Sequence, residues 1–366
     1  MREFSTDILV IGGGPAGLSA AAEAASTGAG VTIAESERRL GGQLVKQSHK
    51  FFGGKEEHAG TRGYEIAKIL KDEISQYGDR VRTMFNTTIV GYYGDEGIVT
   101  AMVGEEDYFH ISPKKIVVAC GAQERLIPFP NNDIPGVYGA GAVQTLMNVY
   151  GIVPGRRVLM VGAGNIGLIV TYQLLQTGVE VAAILEATPR IGGYWVHAAK
   201  VRRMGVPILL RHSIKRATGD QVVTGADIVE LDENFSEAGL SEHVECDTIC
   251  LAVGLTPTNE LLWQAGCRMR YTPYLCGHVP LRDASMRTSN ENIWIAGDSS
   301  GIEEASAAMI EGRIAGLSAA ESLGYKAPPG KFDRYRSRLR NLRAGEVGEK
   351  IRAGVASVAV AEWGNV

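Results

Sequence analysis

Seven short apolar runs, at 8–11, 31–34, 116–119, 158–161, 181–185, 249–253 and 293–296, divide the chain. Several carry no polar alternation, the pattern of parallel strands covered on both faces. Helical spacing fills the intervals 16–26, 64–77, 166–177 and 305–323. The order strand, glycine-rich turn, helix, strand occurs twice, at 7–35 and 157–186. That repeat predicts an α/β protein built from two doubly wound domains. Pro, Asn and Gly concentrate at 127–141, which reads as a crossing between domains, and a second crossing is expected at about 254–266. The first domain is then 1–124 plus 256–330, the second is inserted at 125–255, and 331–366 forms a tail.

Composition adds one positive feature and several exclusions. Glycine contributes 46 of 366 residues, nearly twice the roughly 7% of average usage, with no collagen-like period. The balance of 37 Lys and Arg against 41 Asp and Glu, net −4, argues against nucleic acid as the main partner. Five cysteines, none spaced as a redox or zinc motif, fit a reduced cytoplasmic protein without a metal site. Cys246 and Cys250 read as strand cysteines. The N-terminal MREFSTDILVIGGG lacks the apolar core of a signal peptide. The uncharged stretch 158–179 has the length of a membrane span. Its Gly-Ala-Gly-Asn-Ile-Gly and the polar Thr171, Gln173 and Gln176 assign it instead to a buried strand, a turn and a helix, so no transmembrane segment is expected.

The glycines concentrate where chemistry needs them. The run 8–11 leads into Gly12-Gly13-Gly14-Pro15-Ala16-Gly17, and Glu35 closes the next strand 23 residues after Gly12. Gly12 makes a tight turn, Gly14 lets the backbone approach a pyrophosphate, and Gly17 lets helix and strand pack closely. The helix N-terminus offers amides and partial positive charge to the phosphates. Glu35 is placed to hold ribose hydroxyls. The second loop, Gly162-Ala163-Gly164-Asn165-Ile166-Gly167, ends in Glu186 24 residues after Gly162. An acid there accepts from a free ribose and repels a 2′-phosphate, which favours NAD(H) over NADP(H), although Arg190 lies four residues on. Two Rossmann-like sites in one chain imply two nucleotides and electron transfer between them.

With these motifs in place the sequence resembles the flavoproteins with two dinucleotide-binding domains, the group that contains thioredoxin reductase, glutathione reductase and NADH oxidases. Gly12 to Gly17 with Glu35 is similar to the FAD loop, and Gly41-Gly42-Gln43-Leu44 to the segment beside the flavin. Ala119-Cys120-Gly121 stands at the group's Ala-Thr-Gly turn, with cysteine for threonine. Gly254 to Pro257 resembles the turn near the nicotinamide. Gly297-Asp298, followed by a helix from Ala305, resembles the late FAD motif whose aspartate holds the ribitol. The resemblance implies FAD at the first site, with Gly12, Gly14, Pro15, Ala16, Gly17, Glu35, Gly42, Gln43, Leu44, Ala119, Gly121, Gly297, Asp298 and Ala305. At the second it implies NAD, with Gly162, Gly164, Asn165, Ile166, Gly167, Glu186 and Gly254.

The cysteine pair of the disulfide reductases is missing from both places where that group carries it, since 43–49 and 138–143 contain none. Disulfide reduction needs an attacking and a resolving thiol, so another acceptor is expected. Lys46 and His49, just after the flavin-side turn, are the candidate catalytic residues. The segment from Gly121 through Pro130 to Tyr138 most resembles subunits of heteromeric amino-acid, opine and proline dehydrogenases. That resemblance implies a partner dehydrogenase subunit; many of those relatives carry a cysteine-rich iron–sulfur domain whose cysteines this sequence lacks, so any iron–sulfur centre is expected on another chain, such as a small iron–sulfur protein, and a homo-oligomer is a further expectation. The tail segment 331–343 carries six Lys and Arg against one Asp, with Phe332, Tyr335, Leu339 and Leu342 on one helical stripe. The stripe fits an acidic partner subunit, an anionic membrane surface or the protein's own domain, and the uncharged 353–361 reads as a strand or a partner contact. The expected function is FAD-dependent hydride exchange with NAD(H) in such a complex. A free-standing NADH oxidase or NADH:acceptor reductase, and a scaffold holding ATP or ADP at the second site, are the alternatives.

Overall fold

The computed structural model describes residues 2–104, 107–361 and 363. The chain forms two compact units, Met1–Gln123 with Thr256–Val366, and Glu124–Leu255.

In the first unit four parallel strands lie side by side in the order Val31–Ala34, Arg2–Ile11, Asp107–Val118, Ile293–Ile295, and Val81–Met84 extends them beyond Val31–Ala34. The twelve-residue strand Asp107–Val118 is long enough to hold two partners along one edge. Its first half pairs antiparallel with Ile98–Val103, and its last three residues pair parallel with Ile293–Ile295. The run at 8–11 is buried, as a strand covered on both faces requires. Helices Pro15–Ser26 and Ala305–Glu321 cross at backbone distance. A Cβ on Gly312 would stand 2.1 Å from the Ala16 carbonyl oxygen, and one on Gly316 2.1 Å from that of Ala20. Only small residues on both helices allow this approach.

The basic tail is folded onto this unit. Helix Lys331–Leu342 buries Tyr335 and Leu339, with Phe332 and Leu342 packed against the same core. Its cations meet acids of the unit: Arg334 pairs with Glu56 at 2.7 Å, Arg338 with Glu57 at 2.7 Å, and Lys331 with the buried Glu23 at 2.5 Å. Arg313 and the Tyr335 hydroxyl also bond Glu23. The 353–361 stretch is not a strand: a helix runs Glu349–Val358. Gly354 lies against Leu275, and Val358 joins a small core with Val279 and Leu281. The end of the tail, at 362 and 364–366, lies outside the described residues.

The second unit is a five-stranded parallel sheet in the order Ile208–Leu210, Glu180–Glu186, Arg157–Val161, Thr248–Leu251, Val137–Gly139. An antiparallel sheet, His212–Thr218, Gly225–Leu231 and Glu237–Glu245, shares a core with it through Ile214, Ala226 and Ile228. The Pro-, Asn- and Gly-rich segment 127–141 lies inside this unit rather than linking units. Phe129 enters its core, and Val137–Gly139 pairs with Thr248–Leu251. The uncharged 158–179 stretch holds a buried strand, the glycine turn and the helix Asn165–Gln176. Among the described residues no helix is long and apolar enough to cross a membrane. All five cysteines are free, and Cys250 is buried in its strand. No cluster of three or more metal-binding side chains occurs among the described residues.

Candidate functional site

The first site is built where four neighbouring parallel strands end. Arg2–Ile11 delivers Gly12, Val31–Ala34 delivers Glu35, Asp107–Val118 delivers Ala119 and Gly121, and Ile293–Ile295 delivers Gly297 and Asp298. This is the sheet end at which doubly wound folds bind ligands. Gly12 has φ 102°, and a Cβ there would stand 2.3 Å from the Ala119 carbonyl oxygen. A Cβ on Gly17 would stand 1.8 Å from the Gly12 carbonyl oxygen. Both glycines are fixed by the protein itself. Gly14 differs: it caps the helix Pro15–Ser26 in extended conformation, and its missing Cβ would have one neighbour, the Gly42 Cα at 3.9 Å. Pro15 starts the helix where its lack of an N–H costs nothing, and the first-turn amides at Ala16 and Gly17 have no carbonyl partner within the helix.

Around this loop the other expected residues take definite places. The Glu35 carboxylate, 6% exposed, accepts from the Gly13 N–H at 2.7 Å and the Glu37 N–H at 2.8 Å, which locks its orientation. Gly41 donates to the Gly13 carbonyl at 2.8 Å, and Gly42 lies so near Gly14 that a Cβ would be 2.8 Å from its Cα. Gln43 is exposed and Leu44 buried. Lys46 closes the short helix Gly42–Lys46; the His49 ring stacks on Phe52 at 4.9 Å and its Nδ1 accepts from the Phe51 N–H at 3.2 Å. Phe52 is buried and Phe51 exposed. The Gly121 carbonyl accepts from the Ser299 hydroxyl at 3.1 Å and the Thr258 N–H at 3.0 Å. Asp298 accepts from the Glu303 N–H at 3.3 Å, and enclosure, aided by Glu311 and Glu303, pushes its carboxyl up to about 6. Ala305 opens the helix behind it.

The Gly297–Ser300 turn rests on a group that the motifs do not contain. Glu311, 3% exposed, accepts from the Gly297 N–H at 3.1 Å and the Ser300 hydroxyl at 2.6 Å through one oxygen. Its other oxygen meets Arg343 of the tail at 2.6 Å, and Arg343 also holds Glu303 at 2.6 Å. Burial alone would raise the Glu311 carboxyl, but Arg343 and Arg282 outweigh it and hold it below its ordinary range. No local motif marks this network, because its members lie 32 and 14 residues apart in the chain.

The second site repeats the first in its central contacts. A Cβ on Gly162 would stand 2.3 Å from the Ala252 carbonyl oxygen, one on Gly167 2.0 Å from that of Gly162, and one on Gly164 would meet nothing within 4 Å. The Ala163 N–H donates to Glu186 at 2.9 Å, and the Thr188 N–H to the other oxygen at 3.0 Å. Asn165 starts the helix, and Ile166 is exposed beside it. Gly254, φ 118°, accepts the Arg125 N–H at 2.9 Å. A second double-glycine turn, Gly192-Gly193, folds over this loop, and the glycine-loop motif does not include it. Its signal is the spacing from the acid: glycines follow Glu186 after six and seven residues, as Gly41 and Gly42 follow Glu35.

Each loop thus offers an open glycine face, helix amides and a locked carboxylate, the donor set for a dinucleotide. The model of one protein family, pyridine nucleotide-disulphide oxidoreductase, matches residues 6–312. An opine oxidase subunit from Rhizobium meliloti is 29% identical over 88% of this chain and 64% of its own length, so this chain spans less than two thirds of that relative. Among solved structures, L-proline dehydrogenase from P. horikoshii has a TM-score of 0.72 at 23% identity, covering 93% of this chain and 59% of that one. Thioredoxin reductase from T. acidophilum has a TM-score of 0.70 at 20% identity, covering 87% and 99%.

Proposed function

The chain belongs to the pyridine nucleotide-disulphide oxidoreductase family, and on that premise we propose that it is an oxidoreductase holding FAD at the first loop and NAD(H) at the second. The carrying observation is that each loop presents a glycine with open space before it, Gly14 and Gly164, next to a carboxylate already oriented by the loop's own amide. FAD fits the first site on chemistry: glycine surface and helix amides for its pyrophosphate, Glu35 for ribose, Asp298 for ribitol, and Gly42, Gln43, Leu44, Ala119 and Gly121 along its course. When bound, it supplies a two-electron acceptor and donor.

The remaining work falls to this chain's own groups. Glu186 accepts from the free ribose hydroxyls of NAD(H) and disfavours a 2′-phosphate by like charge. Gly162, Gly164, Asn165, Ile166 and Gly167 cradle the pyrophosphate, and Gly254 flanks the strand end beside them. Lys46 and His49 are the candidate groups to meet substrate or move a proton at the flavin side. The opine oxidase relative, itself one subunit of its enzyme by name, supports a role as the electron-relay subunit of a heteromeric amino-acid, amine or polyol dehydrogenase. An iron–sulfur protein on a separate chain is the acceptor this reading favours, and a cytoplasmic setting suits its free cysteines.

Anaerobic stopped-flow mixing of the FAD-loaded protein with NADH and with NADPH tests the reading. Flavin bleaching with NADH, and at least about tenfold weaker apparent affinity for NADPH, is expected. Absence of bleaching overturns hydride exchange; ADP or ATP bound more tightly than NADH, without bleaching, turns the second site into a nucleotide-holding scaffold. Rapid oxygen consumption by the isolated chain would make it a free-standing NADH oxidase instead. Isolation from the native source with a partner subunit is the expected outcome for the complex.

A further inference from the structure

One helix of the tail touches three parts of the candidate flavin site. Near the start of Lys331–Leu342, Lys331 lies 2.5 Å from the buried Glu23 of helix Pro15–Ser26, and the Tyr335 hydroxyl bonds the same carboxylate. Just past its end Arg343 holds Glu303 and Glu311, and Glu311 supports the Gly297–Ser300 turn. Between these anchors Arg338 reaches the segment that carries Lys46 and His49. Its Nε donates to a Glu57 oxygen at 2.9 Å, its Nη2 stands 2.7 Å from that oxygen, and Nη2 donates to the Glu56 carbonyl at 3.0 Å. Glu57 is 6% exposed. A carboxylate taken out of water needs a cation and donors around it. Arg338 is the cation, and the Gly54 N–H donates to the other oxygen at 2.8 Å. Arg334, four residues earlier, meets Glu56 in solvent, where such a pair contributes little, so Arg338 carries the hold.

From Glu57 the constraint runs back along the chain to His49. Gly53, at φ 31°, stands so close that a Cβ there would lie 2.8 Å from the Glu57 Cβ. Phe52 beside it is buried in the core of the unit, and the His49 ring stacks on Phe52 with the two planes 14° apart. The Lys50 carbonyl accepts the Gly60 N–H at 3.3 Å, which closes the segment into a loop. Among the described residues 46–60 only Phe52 and Glu57 are buried, so one apolar contact and one ion pair are its inward anchors. We infer that Arg338, acting through Glu57, is a positioning residue for the segment 46–57 and holds Lys46 and His49 at the flavin side. The tail is then a working part of the site although it belongs to none of the nucleotide motifs. The inference rests on reading the first unit as the FAD site.

The full-length protein loaded with FAD tests it, as wild type, Arg338→Ala, Arg338→Lys, Glu57→Gln and the control Arg334→Ala. Flavin per chain and melting temperature report folding. Amide hydrogen exchange reads the loop, and quenching of flavin emission by iodide at constant ionic strength reads how openly the flavin meets solvent. In Arg338→Ala and Glu57→Gln, exchange at 49–58 is expected to speed about tenfold or more and iodide quenching to rise about threefold, with flavin content and the strands 8–11 and 293–295 unchanged. Arg338→Lys, which keeps the cation, recovers most of the wild-type values, and Arg334→Ala matches wild type. Glu57→Gln keeps the side chain's size and decides the matter where Arg338→Ala fails to fold. Wild-type exchange in both variants overturns the inference, and faster exchange without a change in quenching overturns it too, because the loop then moves without consequence for the flavin. Loss of flavin together with faster exchange in the central strands reduces the pair to a general folding contact, which also overturns it. A wild type that takes up no flavin overturns the site reading and the inference together, whereas every other failure leaves the site standing.

Discussion

Gly14 and Gly17 stand three residues apart in one loop under different constraints. A methyl at Gly17 would lie 1.8 Å from the Gly12 carbonyl oxygen, so Gly17→Ala must push strand and helix apart. We expect a loss of about 2–4 kcal/mol of stability, seen as a lower melting temperature. Gly14 has an extended backbone that any residue adopts and open space ahead. Gly14→Ala is expected to keep the apoprotein's melting temperature within a few degrees and to lose flavin. Equal destabilisation of both variants would show that the open face has no part in ligand approach. Asp298 gives a pH test with the opposite sign from most carboxylates. Its folded-state value, about 6, exceeds its ordinary 3.8, so the folded state holds the proton more tightly and apoprotein stability falls as pH rises from about 4 to 6. Asp298→Asn is expected to stabilise the apoprotein at pH 7 by at most about 3 kcal/mol, and hardly at all at pH 4, while weakening flavin retention. Melting curves of both proteins at the two pH values check the sign.

At the scale of elements, the tail helix is tied to the candidate flavin turn through Arg343, Glu311 and Gly297. Removing the guanidinium leaves the enclosed Glu303 and Glu311 with only the more distant Arg282, 3.9 Å from Glu311, and losing one partner of a buried pair costs about 3–5 kcal/mol. Arg343→Ala is therefore expected to lower the melting temperature and to speed flavin loss on dilution. Arg334→Ala, which breaks an exposed pair with Glu56, is expected to leave the melting temperature nearly unchanged, because solvent screens such a pair. Similar effects of the two substitutions would count against the relay. The strands and helices around both loops were legible because their apolar runs are continuous and their turns need glycine. The tail was legible only as a basic amphipathic helix. What it packs on depends on Glu23, Glu56, Glu57, Glu303 and Glu311, which share no period with it. The stretch 353–361 misled because alternating small apolar residues suit a strand, whereas packing of Gly354 and Val358 onto Leu275 and Val279 favours a helix.

For the whole molecule, fold and family follow from two copies of one device: a strand, a glycine that touches the next strand's carbonyl, a helix, and a carboxylate that grips the loop. The duplication was legible in the glycines and acids. The repeat of the following double-glycine turn was less so, since Gln43-Leu44 and Tyr194-Trp195 share no chemistry. Substrate and partner were not legible, because loops that meet them carry no fixed spacing. On the proposed function each unit holds its own nucleotide, FAD in the first and NAD(H) in the second. Counting FAD and NADH bound per chain in wild type, Glu35→Ala and Glu186→Ala tests it most directly. One of each is predicted for wild type, with Glu35→Ala losing FAD and Glu186→Ala losing only NADH; loss of FAD in Glu186→Ala, or full NADH binding by it, would contradict the account.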